Sequence, residues 1–162
     1  MTQTAWHTEK LTRDNAVFVW VDFLEGFLPG LKTIDHTLLR RNIDAYCKLA
    51  SIFKMPTIML GEEGDFRGKF FPECTQHIEA AKVIRVERHT PSAWDEPHFQ
   101  EALTQIGRRK IILGGISLDI CTALLTTDLL HNDYECYVVV DVSGSDTFLN
   151  EQAAMIRLTQ AG

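Results

Sequence analysis

Four runs of almost uninterrupted apolar residues constrain the fold of this chain most strongly. They are rich in valine and isoleucine, and they read AVFVWVD (16–22), PTIML (56–60), KIILGGI (110–116) and ECYVVVD (135–141). Strands that are covered on both faces of a sheet have this pattern, because neither face of such a strand meets water. A fifth run, KVIRVER (82–88), is more polar. The chain is therefore predicted to contain five strands.

Segments with helical periodicity lie between these runs. Residues 35–54 carry an apolar stripe on one side and charged residues on the other, which is typical of an amphipathic helix that lies on a sheet. Residues 93–107, 119–133 and 150–162 predict three more helices, the first of which ends at a C-cap glycine. Strands that alternate with helices predict an α/β fold with a parallel sheet and right-handed crossovers. Residues 61–74 predict a long loop, which either has a function or is a mobile surface segment.

The length and the charge of the chain exclude several classes of function. Its 162 residues, of which 45% are hydrophobic, predict one domain over 1–162. The net charge is -6 and the longest basic cluster is GRRK (107–110), so we expect no binding to nucleic acid or to an anionic membrane. No window approaches the ~20 apolar residues of a membrane span, and the N-terminus lacks a signal-peptide core. We therefore expect a cytoplasmic protein with small-molecule or protein partners.

The cysteines and histidines give no sign of a disulfide framework or a metal centre. The four cysteines form no CxxC pair, and none is spaced from a histidine as zinc ligands are. The segment after the first predicted strand, VDFLEGFLPG (21–30), is not the G-x-G-x-x-G of a dinucleotide site. The sequence thus predicts reduced thiols, of which at most one has a special role, and no nucleotide cofactor.

Two chemically useful side chains follow strands that are predicted to be neighbours. In an open doubly wound sheet, ligands bind beyond the carboxyl ends of the strands, where the strand order reverses. If the fourth strand lies beside the first, Asp22 and Cys121 face each other across one crevice. A thiol at a helix N-terminus is expected to have a lowered pKa, and a nearby carboxylate can take its proton. The alternative is that Cys121 is a small buried hydrophobe and that Asp22 caps a turn.

Three blocks of the sequence resemble the isochorismatase-like cysteine hydrolase superfamily, which includes nicotinamidases and N-carbamoylsarcosine amidases. The blocks are AVFVWVDFLEGF (16–27), RHTPSAW (88–94) and ILGGISLDICTALLTTDLLHNDYECYVVVDVSGS (112–145), and the resemblance covers the chain from about residue 15. It implies a three-layer α/β/α fold with a doubly wound, Rossmann-like parallel sheet in the strand order 3-2-1-4-5. It also implies a catalytic triad of aspartate, lysine and cysteine.

The resemblance assigns three positions of this chain to that triad. Asp22 matches the aspartate, and Cys121 matches the nucleophile. The position of the family's lysine falls on Arg88, which stays protonated and cannot shuttle a proton. We therefore expect Arg88 to act by its charge and its fork of donors. Glu87 would occupy the site instead if the strand register slipped by one residue.

The resemblance also implies an oxyanion hole and a pocket. In the family, the peptide bond after the hydrophobic residue that follows the glycines is commonly cis. In this chain that bond joins Ile116 to Ser117, and the N–H groups of Ser117 and Cys121 are the expected oxyanion donors. The residues expected to wall the substrate pocket are Phe23, Phe27 and Trp94.

The chain departs from the family's pattern at several places. Leu24 stands where many members have Gln or Asn, and Leu118 stands where many have Thr, so substrate contacts from those side chains are lost. The segment LGEEGDF (60–66) has no histidine for the zinc of the nicotinamidase branch, and we predict no metal. The family's usual sixth strand and last helix are expected to be missing after residue 162. This shortened sheet edge favours a homo-oligomer, a dimer or a larger assembly.

Together these residues predict a metal-free and cofactor-free hydrolase that cleaves an amide or related acyl C–N bond of a small molecule through a thioester on Cys121. The alternative is a catalytically impaired relative that acts as an oligomeric binding or scaffold protein. The replacement of lysine by Arg88 favours that alternative, as do Leu24 and Leu118.

Overall fold

A five-stranded parallel sheet forms the centre of the protein. The computed structural model describes residues 9–162, and its strands lie in the order β3-β2-β1-β4-β5. They are β1 (Ala16–Val21), β2 (Thr57–Leu60), β3 (Val83–Val86), β4 (Lys110–Gly115) and β5 (Glu135–Val138). The predicted parallel α/β fold and its strand order are thus confirmed.

Helices connect the strands throughout the described part of the chain. They are α1 (His36–Ile52), α2 (Pro72–Thr75), α3 (Pro97–Ile106), α4 (Ala123–His131) and α5 (Phe148–Ala161). α1 begins after Asp35, whose carboxylate accepts a hydrogen bond from the N–H of Leu38 at 2.8 Å. α3 ends at Gly107, which has a left-handed φ of 68° and is the predicted C-cap glycine. Within residues 9–162, no helix is both long enough and apolar enough to cross a membrane.

Several elements have bounds that differ from the predicted ones. β3 ends at residue 86 rather than 88, and β5 ends at residue 138 rather than 141, where the 3₁₀ turn Val140–Val142 follows. The predicted helix 93–107 is divided into a 3₁₀ turn, Ala93–Asp95, and α3. Pro97 explains the division, because proline lacks the N–H of a helix interior but fits the first helical position.

Alternate side chains of β1 pack into two separate cores. Phe18 and Trp20 belong to the core that α1 and α2 cover, whereas Val17, Val19 and Val21 belong to the core that α3 and α4 cover. All five side chains are almost fully buried. Burial on both faces explains why this run contains no polar residue before position 22.

The pairing of β1 with β4 places the ends of these two strands side by side. Val21 lies opposite Gly115, and the N–H of Ile116 donates to the carbonyl of Val21 at 3.0 Å. A Cβ at residue 115 would lie 1.9 Å from the carbonyl oxygen of Val21, so only glycine permits this approach. Asp22 and Ile116, the residues that follow, therefore meet at the carboxyl edge of the sheet, where the strand order reverses.

Residues 61–74, predicted as a long loop, contain short helical turns and are tied to the rest of the protein. A 3₁₀ turn covers Asp65–Arg67, and α2 lies at the end of the segment. Arg40 of α1 contacts Glu73 at 3.0 Å and Glu25, in the turn after β1, at 2.6 Å. These ion pairs hold the segment against α1 and against the turn that follows β1.

Candidate active site

Asp22 is the first residue after β1, and its carboxylate is buried at the edge of the sheet. Its side chain is 2% exposed, and its N–H donates to the carbonyl of Leu60 at 3.1 Å. Its φ of 51° is a left-handed conformation that aspartate adopts more readily than most residues. Gly61 leaves room for the carboxylate, since a Cβ at residue 61 would lie 3.0 Å from Oδ1 of Asp22. The ends of β1 and β2 therefore fix this carboxylate in place.

Arg88 lies two residues beyond β3 and contacts both other members of the predicted triad. Its Nε lies 3.0 and 2.9 Å from the two carboxylate oxygens of Asp22, and its Nη2 also donates to that carboxylate. The same Nη2 lies 2.8 Å from Sγ of Cys121. Glu87 is exposed to solvent, so it is Arg88 that faces the site. The guanidinium bridges the carboxylate and the thiol.

The remaining nitrogen of this guanidinium is held by the backbone. Nη1 of Arg88 donates to the carbonyl oxygens of Thr90 and Pro91, the latter at 3.2 Å. Burial lowers the pKa of Arg88, but the hydrogen bonds and the negative charge of Asp22 outweigh burial, and the net direction is upward. Arg88 is therefore a fixed positive charge.

Cys121 lies in a π-helical turn, Leu118–Thr122, that leads from β4 into α4. Its half-buried thiol lies beside the carboxylate of Asp22, close enough for that charge to act on the thiol pKa. Burial raises the pKa of Cys121 to about 11, and the charge of Asp22 acts in the same direction, whereas Arg88 lowers this pKa. The expectation of a lowered thiol pKa is therefore wrong for the resting site, because desolvation and the neighbouring carboxylate outweigh Arg88 and the helix start.

Cys121 is nevertheless the most acidic of the four cysteines. Burial raises the pKa of Cys74 and of Cys136 to about 12, and it raises the pKa of Cys47 further. All three of these thiols lie in or against the hydrophobic cores. Thiolate chemistry is therefore expected at Cys121 before the other cysteines.

The pKa of Asp22 is also raised by burial, against the hydrogen bonds and charge of Arg88. A raised pKa makes this carboxylate a stronger proton acceptor than an exposed aspartate. The resting proton is therefore on the sulfur of Cys121, and the carboxylate of Asp22 is the neighbouring group that can accept it. Transfer of that proton creates the thiolate.

The backbone between β4 and Cys121 contains a cis peptide bond, which joins Ile116 to Ser117. The hydroxyl of Thr122 donates to the carbonyl of Gly115 at 3.0 Å and is fully buried. This bond ties the start of α4 back to the end of β4. It fixes the short segment that carries both Ser117 and Cys121.

A cavity of about 340 Å³ opens beside Cys121, which is room for a small molecule. Its apolar wall consists of Phe27, Leu31, Ile116 and Ile120. Its polar wall consists of Ser117, Asp119, Asp146 and Asn150. The cavity therefore offers an apolar surface and has two carboxylates, Asp119 and Asp146, in its wall.

Of the three residues predicted to wall the pocket, Phe27 lines this cavity, whereas Phe23 and Trp94 lie elsewhere. Phe23 is 1% exposed and packs edge-to-face on Tyr46 within the core that α1 covers. Trp94 packs against Tyr134 in the core on the other face of the sheet. The prediction for Phe23 and Trp94 is thus wrong, because both aromatic rings stabilise the cores.

Comparison with known proteins gives the family of this chain. The isochorismatase domain family matches residues 16–162. The chain belongs to the isochorismatase family. It is 27% identical over 154 residues to the probable hydrolase YcaC of Escherichia coli, and the match covers 94% of this chain and 74% of that protein.

Solved structures agree with this membership. YcaC from Pseudomonas aeruginosa, determined with hexane-2,5-diol and covalent acrylamide, is 28% identical with a TM-score of 0.88, and the match covers 95% of this chain and 76% of that one. YcaC from E. coli, an octameric hydrolase of unknown specificity, has a TM-score of 0.87 and 27% identity over 94% of this chain and 75% of that one. A pyrazinamidase/nicotinamidase from Streptococcus mutans shares the fold, with a TM-score of 0.77 and 15% identity over 90% of this chain and 96% of that one. The chain is therefore an isochorismatase-family hydrolase.

Two of the departures from the family's usual residues, Leu24 and Leu118, are buried. Leu24 and Leu118 are both 0% exposed, the first in the core that α1 covers and the second against Ala154 of α5. Neither belongs to the wall of the cavity. Among residues 9–162, no three histidine, cysteine or acidic side chains are grouped as metal ligands would be.

This isochorismatase-family site also contains residues that sequence reasoning did not single out. Asp119 accepts a hydrogen bond from the hydroxyl of Ser145 at 2.7 Å, and the amide of Asn150 donates to Asp146 at 2.7 Å. Asp119 lies two residues before Cys121, and Asp146 directly follows the block 112–145 that resembles the family. Asp119 and Asp146 could have been identified from the sequence by their positions, since each follows a predicted strand at the carboxyl edge of the sheet.

Proposed function

We propose that this isochorismatase-family hydrolase cleaves an amide or a related acyl C–N bond of a small molecule, with Cys121 as the nucleophile. The observation that supports this most is the contact of Arg88 with both Asp22 and Cys121 beside the cavity. A buried base, a thiol beside it and a fixed positive charge that contacts both are the groups that acyl transfer through sulfur requires.

The first half of the proposed reaction forms a thioester. Asp22 accepts the thiol proton as Sγ of Cys121 attacks the carbonyl carbon, and the π electrons of the carbonyl move to its oxygen. The N–H groups of Ser117 and Cys121 donate to this oxyanion. The tetrahedral intermediate then collapses, the C–N bond breaks, and Asp22 returns the proton to the leaving nitrogen.

The second half hydrolyses the thioester. Asp22 accepts a proton from a water molecule as the water oxygen attacks the acyl carbon. The C–S bond breaks when the second tetrahedral intermediate collapses, and the proton on Asp22 returns to sulfur. The acid leaves, and Cys121 is again a thiol.

Arg88 contributes charge and orientation to this reaction, because an arginine side chain keeps its proton. Its Nη2, 2.8 Å from Sγ, stabilises the thiolate as it forms, and its bonds to both oxygens orient Asp22. With a thiol pKa of about 11, roughly one thiol in 10⁴ is ionised at pH 7. The resting thiol is therefore largely neutral, and the attack depends on transfer of its proton to Asp22.

The cavity is better suited to an uncharged or cationic amide than to an anionic one. Asp119 and Asp146 both belong to its wall, whereas the charge of Arg88 is balanced by Asp22. An anionic substrate group would lie close to two like charges in a partly enclosed space, where they repel more strongly than in water. The apolar wall around Phe27 is suited to the hydrocarbon body of the substrate.

Two relatives support this account. YcaC from P. aeruginosa carries covalent acrylamide, an electrophile of a kind that thiols attack. YcaC from E. coli is an octamer. Phe148 and Leu149 of α5 are 66% and 74% exposed, and apolar side chains of this size suit contact with another copy. We extend both properties to this chain, as a nucleophilic Cys121 and a homo-oligomer.

The test is a screen of small amides that share one acyl body and carry a neutral, a cationic or an anionic substituent. Released amine is measured, and the acyl-enzyme is sought by intact-protein and peptide mass spectrometry. We expect turnover of the neutral and cationic amides, an acyl group on the Cys121 peptide, and no turnover by Cys121→Ala. Cys136→Ser, which alters a thiol of the core, is the matched control and should stay active.

Turnover that survives Cys121→Ala would contradict the proposal. Preferential turnover of the anionic amides would contradict the proposed substrate class but not the role of Cys121. Asp119→Asn should relax the discrimination against an anionic substituent if that carboxylate contributes to it.

An oligomeric scaffold without turnover is the second candidate function. Two observations favour it, namely the arginine in place of the family's lysine and the thiol pKa of about 11. It predicts oligomers that hydrolyse no member of the panel and form no acyl adduct on Cys121.

A further inference from the structure

We propose that Glu96 is a positioning residue of this site, which acts on Cys121 through the turn 89–91 and the guanidinium of Arg88. The proposal rests on the proposed function, in which Arg88 stabilises the developing thiolate. Glu96 is the residue directly before α3 and lies outside the triad, and its side-chain hydrogen bonds are to the turn that follows Arg88.

One oxygen of Glu96 lies within hydrogen-bond distance of three donors of that turn, of which the Thr90 hydroxyl also lies 2.7 Å from the carbonyl oxygen of Ser92. Its Oε1 lies 2.7 Å from the backbone nitrogen of His89, 3.1 Å from the backbone nitrogen of Thr90 and 2.9 Å from the hydroxyl of Thr90. The two N–H groups that directly follow Arg88 therefore converge on a single carboxylate oxygen. Such charge-assisted bonds are shorter and stronger than those between neutral groups.

The same turn holds the guanidinium from its other side. The carbonyl oxygens of Thr90 and Pro91 accept hydrogen bonds from Nη1 of Arg88. The N–H of Thr90 therefore points to Glu96 and its carbonyl to Arg88, so a rotation of this residue would disturb both contacts. Glu96 fixes the backbone conformation that directs those carbonyl groups at Arg88.

A second anchor leaves the end of the turn in place when Glu96 is altered. The hydroxyl of Ser92 donates to Asp128 of α4 at 2.5 Å, and Trp94 packs on Tyr134. Loss of the Glu96 carboxylate is therefore expected to loosen residues 89–91 without unfolding the segment. The hydrogen bonds from His89 and Thr90 hold the pKa of Glu96 below its usual value, so it is charged at neutral pH.

Looser positioning of Arg88 is expected to raise the pKa of Cys121, because Nη2 of Arg88 lies 2.8 Å from Sγ of Cys121. Arg88 lowers the pKa of Cys121, against burial and the charge of Asp22, both of which raise it. When the guanidinium is held less firmly, this stabilisation of the thiolate weakens and the thiol pKa rises. A rise of about 0.5 to 1 unit slows thiolate-dependent alkylation about threefold to tenfold at a pH below that pKa.

The experiment follows iodoacetamide labelling of Cys121 from pH 7 to pH 11 by peptide mass spectrometry, in the full chain, for five proteins. These are the parent, Glu96→Ala, Glu96→Gln, Arg88→Ala and Glu101→Ala. Glu101→Ala is the matched control, because Glu101 is an exposed carboxylate on the same helix that contacts His98 and not the turn. Thermal melting of each protein reports on stability separately.

We expect Arg88→Ala and Glu96→Ala to shift the labelling profile of Cys121 to higher pH, the first by more than the second. Glu96→Gln keeps an acceptor oxygen and should restore most of the parental profile, and Glu101→Ala should match the parent. If Arg88→Ala shifts the labelling profile but Glu96→Ala gives the same profile as Glu101→Ala, the positioning role of Glu96 is overturned. The electrostatic effect of Arg88 on Cys121 then still stands. If Arg88→Ala also leaves the profile unchanged, the electrostatic role of Arg88 in the proposed function fails, and the role of Glu96 fails with it.

Discussion

Nη2 of Arg88 lies 2.8 Å from Sγ of Cys121, while Nε of the same guanidinium lies 3.0 and 2.9 Å from the two carboxylate oxygens of Asp22. One arginine side chain thus contacts the proposed base and the proposed nucleophile at once. Because a guanidinium does not titrate near neutral pH, its effect on both groups is electrostatic.

Arg88→Met is expected to destabilise the protein, and more strongly at pH 7.5 than at pH 5. Asp22 is 2% exposed, and removal of the partner of a buried charge costs about 3–5 kcal/mol. Burial raises the pKa of Asp22 above 3.8, and loss of Arg88 raises it further, so the folded state binds this proton more tightly than the unfolded state. The loss of stability therefore grows as pH rises through the folded-state pKa.

Urea denaturation of Arg88→Met at the two pH values measures this difference. Asp22→Asn combined with Arg88→Met is the control, since it removes the unpaired charge and should recover much of the loss. Equal losses at both pH values would contradict the assignment of the penalty to Asp22.

Gly115→Ala is expected to destabilise the sheet at the site. The new Cβ would lie 1.9 Å from the carbonyl oxygen of Val21, a backbone atom that cannot move without disturbing Asp22. Overpacking of this kind costs about 3 kcal/mol. Gly30→Ala, whose Cβ would meet nothing within 4 Å, is the matched control, and its stability should stay within about 0.5 kcal/mol of the parent. Similar melting temperatures for the two variants would show that β1 and β4 are not this close.

Glu135→Ala is expected to lower stability without affecting the site. Lys110, at the start of β4, is 1% exposed, and its ammonium pairs with Glu135 of β5, which also accepts from the hydroxyl of Tyr137. Removal of the carboxylate leaves a buried ammonium without its ion-pair partner, at a cost of about 3 kcal/mol. The labelling profile of Cys121 should not change, because Lys110 lies at the opposite end of its strand. A shifted profile would mean that this ion pair and the site are coupled.

The fold and the meeting of Asp22 with Cys121 could be predicted because they depend on patterns that the chain displays directly. A strand buried on both faces, such as β1, must be apolar throughout, so a polar residue at position 22 marks the end of the strand. Parallel pairing then brings the ends of β1 and β4 to one edge. Gly114 and Gly115 lie at two close approaches of β4, since a Cβ at residue 115 would meet Val21 of β1 and one at residue 114 would meet Val142, beyond β5.

The direction of the Cys121 pKa could not be predicted from the sequence, because it depends on how three opposing effects add in space. Sequence position indicated a helix start, which favours the thiolate, but it could not give the burial of the thiol or the effect of the Asp22 charge beside it. The directions of the Phe23 and Trp94 side chains could not be predicted from the sequence for a similar reason. Each lies close in sequence to a site residue, yet its side chain points into a core.

The contact of Glu96 with the turn 89–91 could not be predicted from the sequence either. It lies eight residues after Arg88, and only the folding of the turn 89–91 against α3 brings its carboxylate onto two N–H groups. Lys110, the first residue of a predicted strand, is buried beside β5, where its ammonium pairs with Glu135. In both cases the decisive contact is between elements, and no local pattern encodes it.

The most direct test of the central claim is the pH profile of iodoacetamide labelling at Cys121 in the parent protein and in Asp22→Asn, with circular dichroism to verify folding. In the parent, the account predicts that the rate at Cys121 exceeds the rates at Cys74 and Cys136, rises about tenfold per pH unit, and has a midpoint near the pKa of about 11. In Asp22→Asn, loss of the negative charge leaves Arg88 unopposed, so the midpoint moves to lower pH while any amide hydrolysis is lost with the base. An unchanged midpoint, or labelling of Cys121 no faster than that of the core cysteines, would contradict the claim that these three residues act as one site.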